Sequence, residues 1–169
     1  RKLVTPALSP RARRGYFPKL VERIAHEIID AFPKDEVDLV PAFTFVYPLR
    51  VFIEILGLPT DDVATLHECA TGLTLIQNDP GRAFAASQKM RETLLPIVEA
   101  KRRDPGDDLI SSLATAEVDG VHLTDEEVVS FLRLLVSAGA ETTFHLLGST
   151  LHVLLADPAL QERVRKDRE

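Results

Sequence analysis

The sequence predicts a mainly α-helical chain, a bundle gathered around one long central helix, with at most a short strand and a hairpin beside it. Three observations carry this expectation. The run Thr124 to Ala156 contains no proline and is bounded by cap residues at both ends. Several earlier segments repeat apolar residues at spacings of three and four. Ser, Thr, Asp, Pro and Gly stand where helices should start and stop.

The long helix is the best marked. Thr124 is a good N-cap, Glu127 completes a capping box, and Asp125 and Glu126 suit the positive end of the dipole. Asp157-Pro158 closes it and opens the next helix. At ~1.5 Å per residue it spans on the order of 45 to 50 Å, the width of a domain. Val128, Val129, Leu132, Leu134, Leu135, Leu146, Leu147, Leu151, Val153, Leu154 and Leu155 leave little of its second half polar. An all-round apolar helix is expected to be buried.

The middle of that helix breaks its own pattern. Ser137, Ala138, Gly139, Ala140, Glu141, Thr142 and Thr143 put small residues, a carboxylate and two hydroxyls together. Gly139 costs up to about 1 kcal/mol against Ala there, and an unpaired buried Glu141 would cost more. Small side chains let a bulky group approach the backbone, and Thr142 can donate to the i−4 carbonyl of Ala138, bending or opening the turn. The patch reads either as a functional site or as a small-residue helix crossing with Glu141 paired to a cation.

Ala138-Gly139-Ala140-Glu141-Thr142-Thr143 resembles the A/G-G-x-D/E-T-T motif of the long distal helix in cytochrome P-450 haem-thiolate monooxygenases. The flanks, Asp104 to Gly139 and Leu154 to Asp167, are similar to the corresponding runs of soluble bacterial members. A six-residue motif is weak by itself, and its matched context makes the resemblance specific. It implies a haem b cofactor, reductive activation of O2 and insertion of one oxygen into a C–H bond of a small apolar substrate. It implies that Thr142 hydrogen-bonds the bound dioxygen, that Glu141 links it to solvent as proton source, and that Ala138 and Gly139 leave it room. Leu134, Ser137, Ala138 and Thr142 would look onto haem and substrate. A ferredoxin-type or flavin-containing redox partner and a cytoplasmic location are also implied.

In chain order, 169 residues with 45% hydrophobic, 27% charged and net charge −6 describe one soluble globular domain's length. There is no basic bias for nucleic acid, no membrane-spanning apolar run and no signal-peptide pattern. One cysteine excludes an internal disulfide. The absent initial Met and the charged helix end are expected to be cuts through a longer protein, so that residues 1–169 are part of a P-450 domain, from helix C to helix J. The Phe-x-x-Gly cysteine loop and the Glu-x-x-Arg helix of the family do not occur in the sequence, so the thiolate ligand is expected outside it.

Arg1 falls on the arginine of the family's His-x-x-x-Arg pattern, which meets a haem propionate. Ser9 and Pro10 open a helix to about Phe32, with Leu20, Val21, Ile24, Ile28 and Ile29 on one face. Arg11, Arg13 and Arg14 read as a solvated face. His26-Glu27 starts an HExxH-like string that Asp30 breaks. Val37 to Val40 suit a short strand, and Pro41 to Leu56 a helix ending at Gly57. Phe43, Phe45, Tyr47 and Phe52 read as core.

Thr60-Asp61-Asp62 caps a helix to about Gln77, Asn78-Asp79-Pro80-Gly81 reads as a turn, and a helix of roughly Arg82 to Arg103 contains Pro96. These two helices match the family's F and G lid, where Leu73, Leu75 and Ile76 are candidates for substrate contact or core. Cys69 reads as a small buried thiol. Asp107 or Asp108 caps a short helix through Ala116, and Asp119-Gly120 turns a hairpin within Glu117 to Leu123. His145 and His152 are too far apart for a shared metal ion and read as core histidines. The competing expectation is a non-catalytic helical module that binds a partner or an apolar ligand.

Overall fold

The structure, a computed structural model, describes residues 17–59 and 63–167, with the side chains of all of these except Val63 and Ala140. Arg1, Ser9, Pro10, Arg11, Arg13, Arg14 and the caps Thr60, Asp61 and Asp62 lie outside the described residues. The described residues are mainly helical, with one two-stranded sheet.

Helix α1 (Phe17–Asp30) buries Leu20, Ile24 and Ile28, a single face at i, i+4, i+8. Ile29 turns away from that face and is exposed. The strand expected at Val37 to Val40 does not form. The Asp38 carboxylate accepts from the Val40 amide at 2.9 Å, Ala42 N donates to Asp38 O, and Pro41 has no amide to give a ladder. The chain instead enters a π-helical turn, Val40–Thr44, and then α2 (Val46–Leu56), so the single helix expected from Pro41 divides in two. Pro48 is tolerated because it lies in the first turn of α2. Gly57 ends α2 in the left-handed region, at φ 74.

Helix α3 (Val63–Thr74) runs into a 3-10 turn, Leu75–Gln77. Helix α4 (Pro80–Arg103) starts earlier than expected. Asp79 accepts from Arg82 N at 3.0 Å, which makes Pro80 and Gly81 first-turn residues and not a free turn. Where α3 crosses α4, a Cβ on Gly72 would stand 2.5 Å from the Ala86 Cβ, so the two helices meet through small residues. Leu73 packs against the core, whereas Ile76 is exposed.

Asp108, and not Asp107, caps α5 (Leu109–Ala114), accepting from Ser111 N at 2.8 Å. Strands β1 (Glu117–Val118) and β2 (Val121–His122) pair antiparallel, with Glu117 opposite His122 and Val118 opposite Val121. Asp119 and Gly120 between them have φ 54 and 78, the two positive values that such a two-residue turn requires. The long helix α6 (Asp125–Ala156) follows, then α7 (Pro158–Lys166), capped by Asp157. The capping box of α6 is complete. The Thr124 amide and then its hydroxyl hold the Glu127 carboxyl below the usual carboxylate range. A lowered folded value means that this cap contributes above the unfolded pKa of about 4.3 and is lost as pH falls through the folded one.

One apolar core joins α2, α3, α4, α5 and α6 through residues such as Ile53, Leu66, Met90, Leu94, Ile110, Leu113, Val128, Leu132 and Val136. A second cluster seats Leu20, Ile24 and Ile28 on Val51, flanked by the stacked rings of Phe43 and Tyr47, 5.1 Å apart. The aromatic residues expected in the core are only half-buried.

The expectation that α6 is buried all round is corrected. Its buried positions, Val128, Val129, Leu132 and Val136, lie on one side of its first half. Leu134, on the face opposite that side, and Leu146, Val153 and Leu155, in the second half, are between 54% and 66% exposed. Among the described residues no helix is long and apolar enough to cross a membrane.

Candidate functional site

Period 3.6 sorts the mid-helix patch of α6 onto separate faces. Leu134, Ala138 and Thr142, four residues apart, form one exposed stripe, with Glu141 at its edge. Thr142 Oγ1 donates to Ala138 O at 2.8 Å, as expected, and Thr143 Oγ1 makes the same bond to Gly139 O at 2.8 Å. The expectation that the Thr142 bond opens the turn is corrected, since the α-helix continues through both bonds without a break. Ala138 is the only side chain between Leu134 and Thr142 on the stripe, so a flat group can approach the backbone there.

Gly139 belongs to a different face. A Cβ added to it would overlap the Cζ of Phe52, whose ring on α2 covers the glycine. Gly139 thus sets how closely α2 and α6 approach. Replacement by Ala gains helix propensity of up to about 1 kcal/mol and meets overpacking of about 1–3 kcal/mol. Gly139→Ala is therefore expected to destabilise the parent and to stabilise a Phe52→Leu background, read as midpoints of urea unfolding. The same sign in both backgrounds would refute the Phe52 contact as the reason for the glycine.

Ser137 turns from the stripe into an adjoining pocket of about 130 Å³. Its walls are Phe45 and Leu49 from the α2 region, His67, Ala70, Thr71 and Thr74 from α3, and Ser137, Glu141, Phe144 and His145 from α6. Phe45 links the walls, with its ring centroid 3.8 Å from that of His67 and 5.5 Å from that of Phe144. His67 Nε2 lies 3.2 Å from Thr71 Oγ1, and burial pushes the imidazole below its ordinary range.

Glu141 is half-exposed and not a buried charge, and the neighbour within ion-pair range is His145 Nε2 at 3.9 Å. The reading of His145 and His152 as core histidines is corrected, since both are exposed on the uncovered side of α6. The i, i+4 spacing of Glu141 and His145 could have signalled their pairing. His67 carried no local signal, because only the packing of α3 on α6 brings it to Glu141's pocket.

Cys69 lies in the core at 1% exposure, and burial is the first cause that pushes its thiol up. Among the described residues no three His, Cys, Asp or Glu side chains gather as a metal site. Arg1, expected at a haem propionate, is outside the described residues. What this chain offers is one wall, a small-residue stripe with a hydroxyl and a carboxylate beside it.

The Cytochrome P-450 family model matches residues 73–169. The chain is 34% identical over 174 residues to an erythromycin C-12 hydroxylase of Saccharopolyspora erythraea, covering 99% of this chain and 43% of that protein. It is 33% identical over 168 residues to cytochrome P-450 107B1 of the same organism, covering 99% of this chain and 41% of the relative. The chain thus spans less than half the length of these curated relatives. Among solved structures, CYP109E1 from Bacillus megaterium in complex with testosterone superposes with a TM-score of 0.85 at 34% identity, covering 98% of this chain and 46% of that one. The ligand-free cytochrome P-450 TbtJ1 gives 0.87 at 34% identity, covering 99% and 46%.

Proposed function

The chain belongs to the cytochrome P-450 family, and on that premise we propose that it forms the distal wall of a monooxygenase that hydroxylates a small apolar organic substrate. The observation that carries this reading is the exposed stripe Leu134, Ala138, Thr142 with Glu141 at its edge. A planar macrocycle fits there, since the stripe narrows to a methyl group at Ala138 and offers an apolar side chain at Leu134. Haem b with a cysteine thiolate from outside these 169 residues supplies oxygen activation and transfer of one oxygen atom to a C–H bond.

This chain's residues bind, orient and carry protons. Leu134 and Ser137 face the substrate, Ser137 from the rim of the pocket. Ala138 leaves space against the backbone. Thr142 carries its proton at Oγ1, held towards Ala138 O, and the Glu141 carboxylate accepts and passes on protons on the solvent side. Gly139 acts through Phe52, fixing the height of the helix against α2. Residues 1–169 are part of one domain, whose remainder covers Leu146, Val153 and Leu155. Electrons come from a ferredoxin-type or flavin-containing partner, and the protein works in the cytoplasm.

A non-catalytic module would hold Glu141 against an internal cation and would cover its own apolar surface. Glu141 instead has His145 of its own helix, and the apolar side of α6 is open. A reduced carbon monoxide difference spectrum of the full-length protein tests the reading. A Soret band at the thiolate-haem position is expected, and a colourless product would overturn it. Thr142→Ala is expected to lower product formed per reductant consumed by about tenfold, with the balance released as peroxide. Equal coupling in variant and parent would remove Thr142 from the role.

A further inference from the structure

The pocket beside the stripe holds two imidazoles to which the chemistry above gives no task. His145 stands one turn beyond Glu141, its Nε2 3.9 Å from Glu141 Oε1, and its side chain is 68% exposed. A rotamer change of the exposed imidazole brings the two atoms within hydrogen-bond reach. The His145 ring lies against Phe144, centroids 4.8 Å apart, and Phe144 packs on Phe45, so an aromatic wall backs the imidazole.

The titratable groups lining the pocket are Glu141 and His145 from α6 and His67 from α3; the α2 region contributes Phe45 and Leu49. No lysine or arginine is among the lining residues. His67 is held back from protonation by its burial and is engaged with Thr71. His145 therefore is the lining imidazole that both meets bulk solvent and stands beside Glu141.

We infer that His145 recharges Glu141 with protons, as the solvent-side member of the delivery route, an inference that rests on the proposed monooxygenase reading. The Nε2–H of the imidazolium passes its proton to Glu141 Oε1, which leaves a neutral imidazole and a neutral carboxyl. The imidazole regains a proton from hydronium or a buffer acid at the open side of the pocket. His145 is thus a positioning and proton-supplying residue that acts through Glu141 and touches no substrate.

The test uses the full-length haem-loaded protein with His145→Gln and Glu141→Gln, scoring product per reductant. His145→Gln should lower product per reductant relative to the parent, by way of a Glu141 that is recharged less often. The expected loss is about tenfold. Equal product per reductant for parent and His145→Gln, with Glu141→Gln low, overturns this inference alone. Values unchanged in both variants overturn the Glu141 reading as well. A second readout is independent of turnover. In 15N NMR at neutral pH, Glu141→Gln should move the ring-nitrogen resonances of His145 and leave those of His67 in place, and an unmoved His145 overturns the pairing.

Discussion

Gly57→Ala is expected to lower the unfolding free energy by about 3 kcal/mol, as the sum of a left-handed backbone cost and overpacking. Gly57 has φ 74 and ψ 32, and it closes α2 while Leu58 N donates back to Ile53 O at 3.0 Å. An added Cβ would lie 2.5 Å from the Asp108 Cβ and Cγ. Asp108 has little room to retreat. It accepts from Ser111 N at 2.8 Å, from Ser111 Oγ at 3.0 Å and from Lys101 Nζ at 2.6 Å, with its side chain 10% exposed. The clash therefore strikes the joint of α2, α4 and α5 at once. Gly120 separates the two causes. It has φ 78, but a Cβ added there would meet nothing within 4 Å, so Gly120→Ala should cost only the backbone part, about 1 kcal/mol. Equal urea midpoints for the two variants would rule out the Asp108 contact as a cause.

Arg102→Met is expected to cost a similar amount, about 3 kcal/mol, from a charged hydrogen-bond network whose carbonyl acceptors lose their donor. The guanidinium donates from Nε to Asp125 Oδ1 at 2.6 Å, from one terminal nitrogen to Leu123 O at 2.7 Å and from the other to Ala114 O. One side chain thereby ties the end of α4 to the end of α5, the exit of the hairpin and the first residue of α6. Arg102→Lys should recover little, because one ammonium cannot serve three acceptors in a planar fork. Asp125→Asn should cost less than Arg102→Met, since both carbonyls keep their donor. Thermal unfolding of the three variants gives the ranking, and an Arg102→Lys chain as stable as the parent would refute the fork.

Both sites show why parts of this fold were legible in the sequence and parts were not. Caps act within a few residues, so Thr124 with Glu127, Asp157 with Pro158, and Gly57 could be read directly. The strand expected at Val37 to Val40 lacked a pairing partner, which no local propensity supplies, and Asp38 took the Val40 amide for a turn. Asp79 belonged to a helix start, although Asn78-Asp79-Pro80-Gly81 has the composition of a turn. Arg102 gave no signal, since its acceptors lie 12 to 23 residues further along the chain.

The sequence by itself determined where the long helix begins and ends, that Thr142 bonds back to the carbonyl of Ala138, and which family the chain belongs to. These depend on neighbours within a turn or on the order of residues. Only the tertiary structure decided that α6 is covered on one side, that Gly139 faces Phe52 while Ala138 and Thr142 face outward, and that His67 closes a pocket with Glu141 and His145. Hydropathy states what a side chain gains from burial; whether it is buried depends on a partner surface brought from elsewhere in the chain.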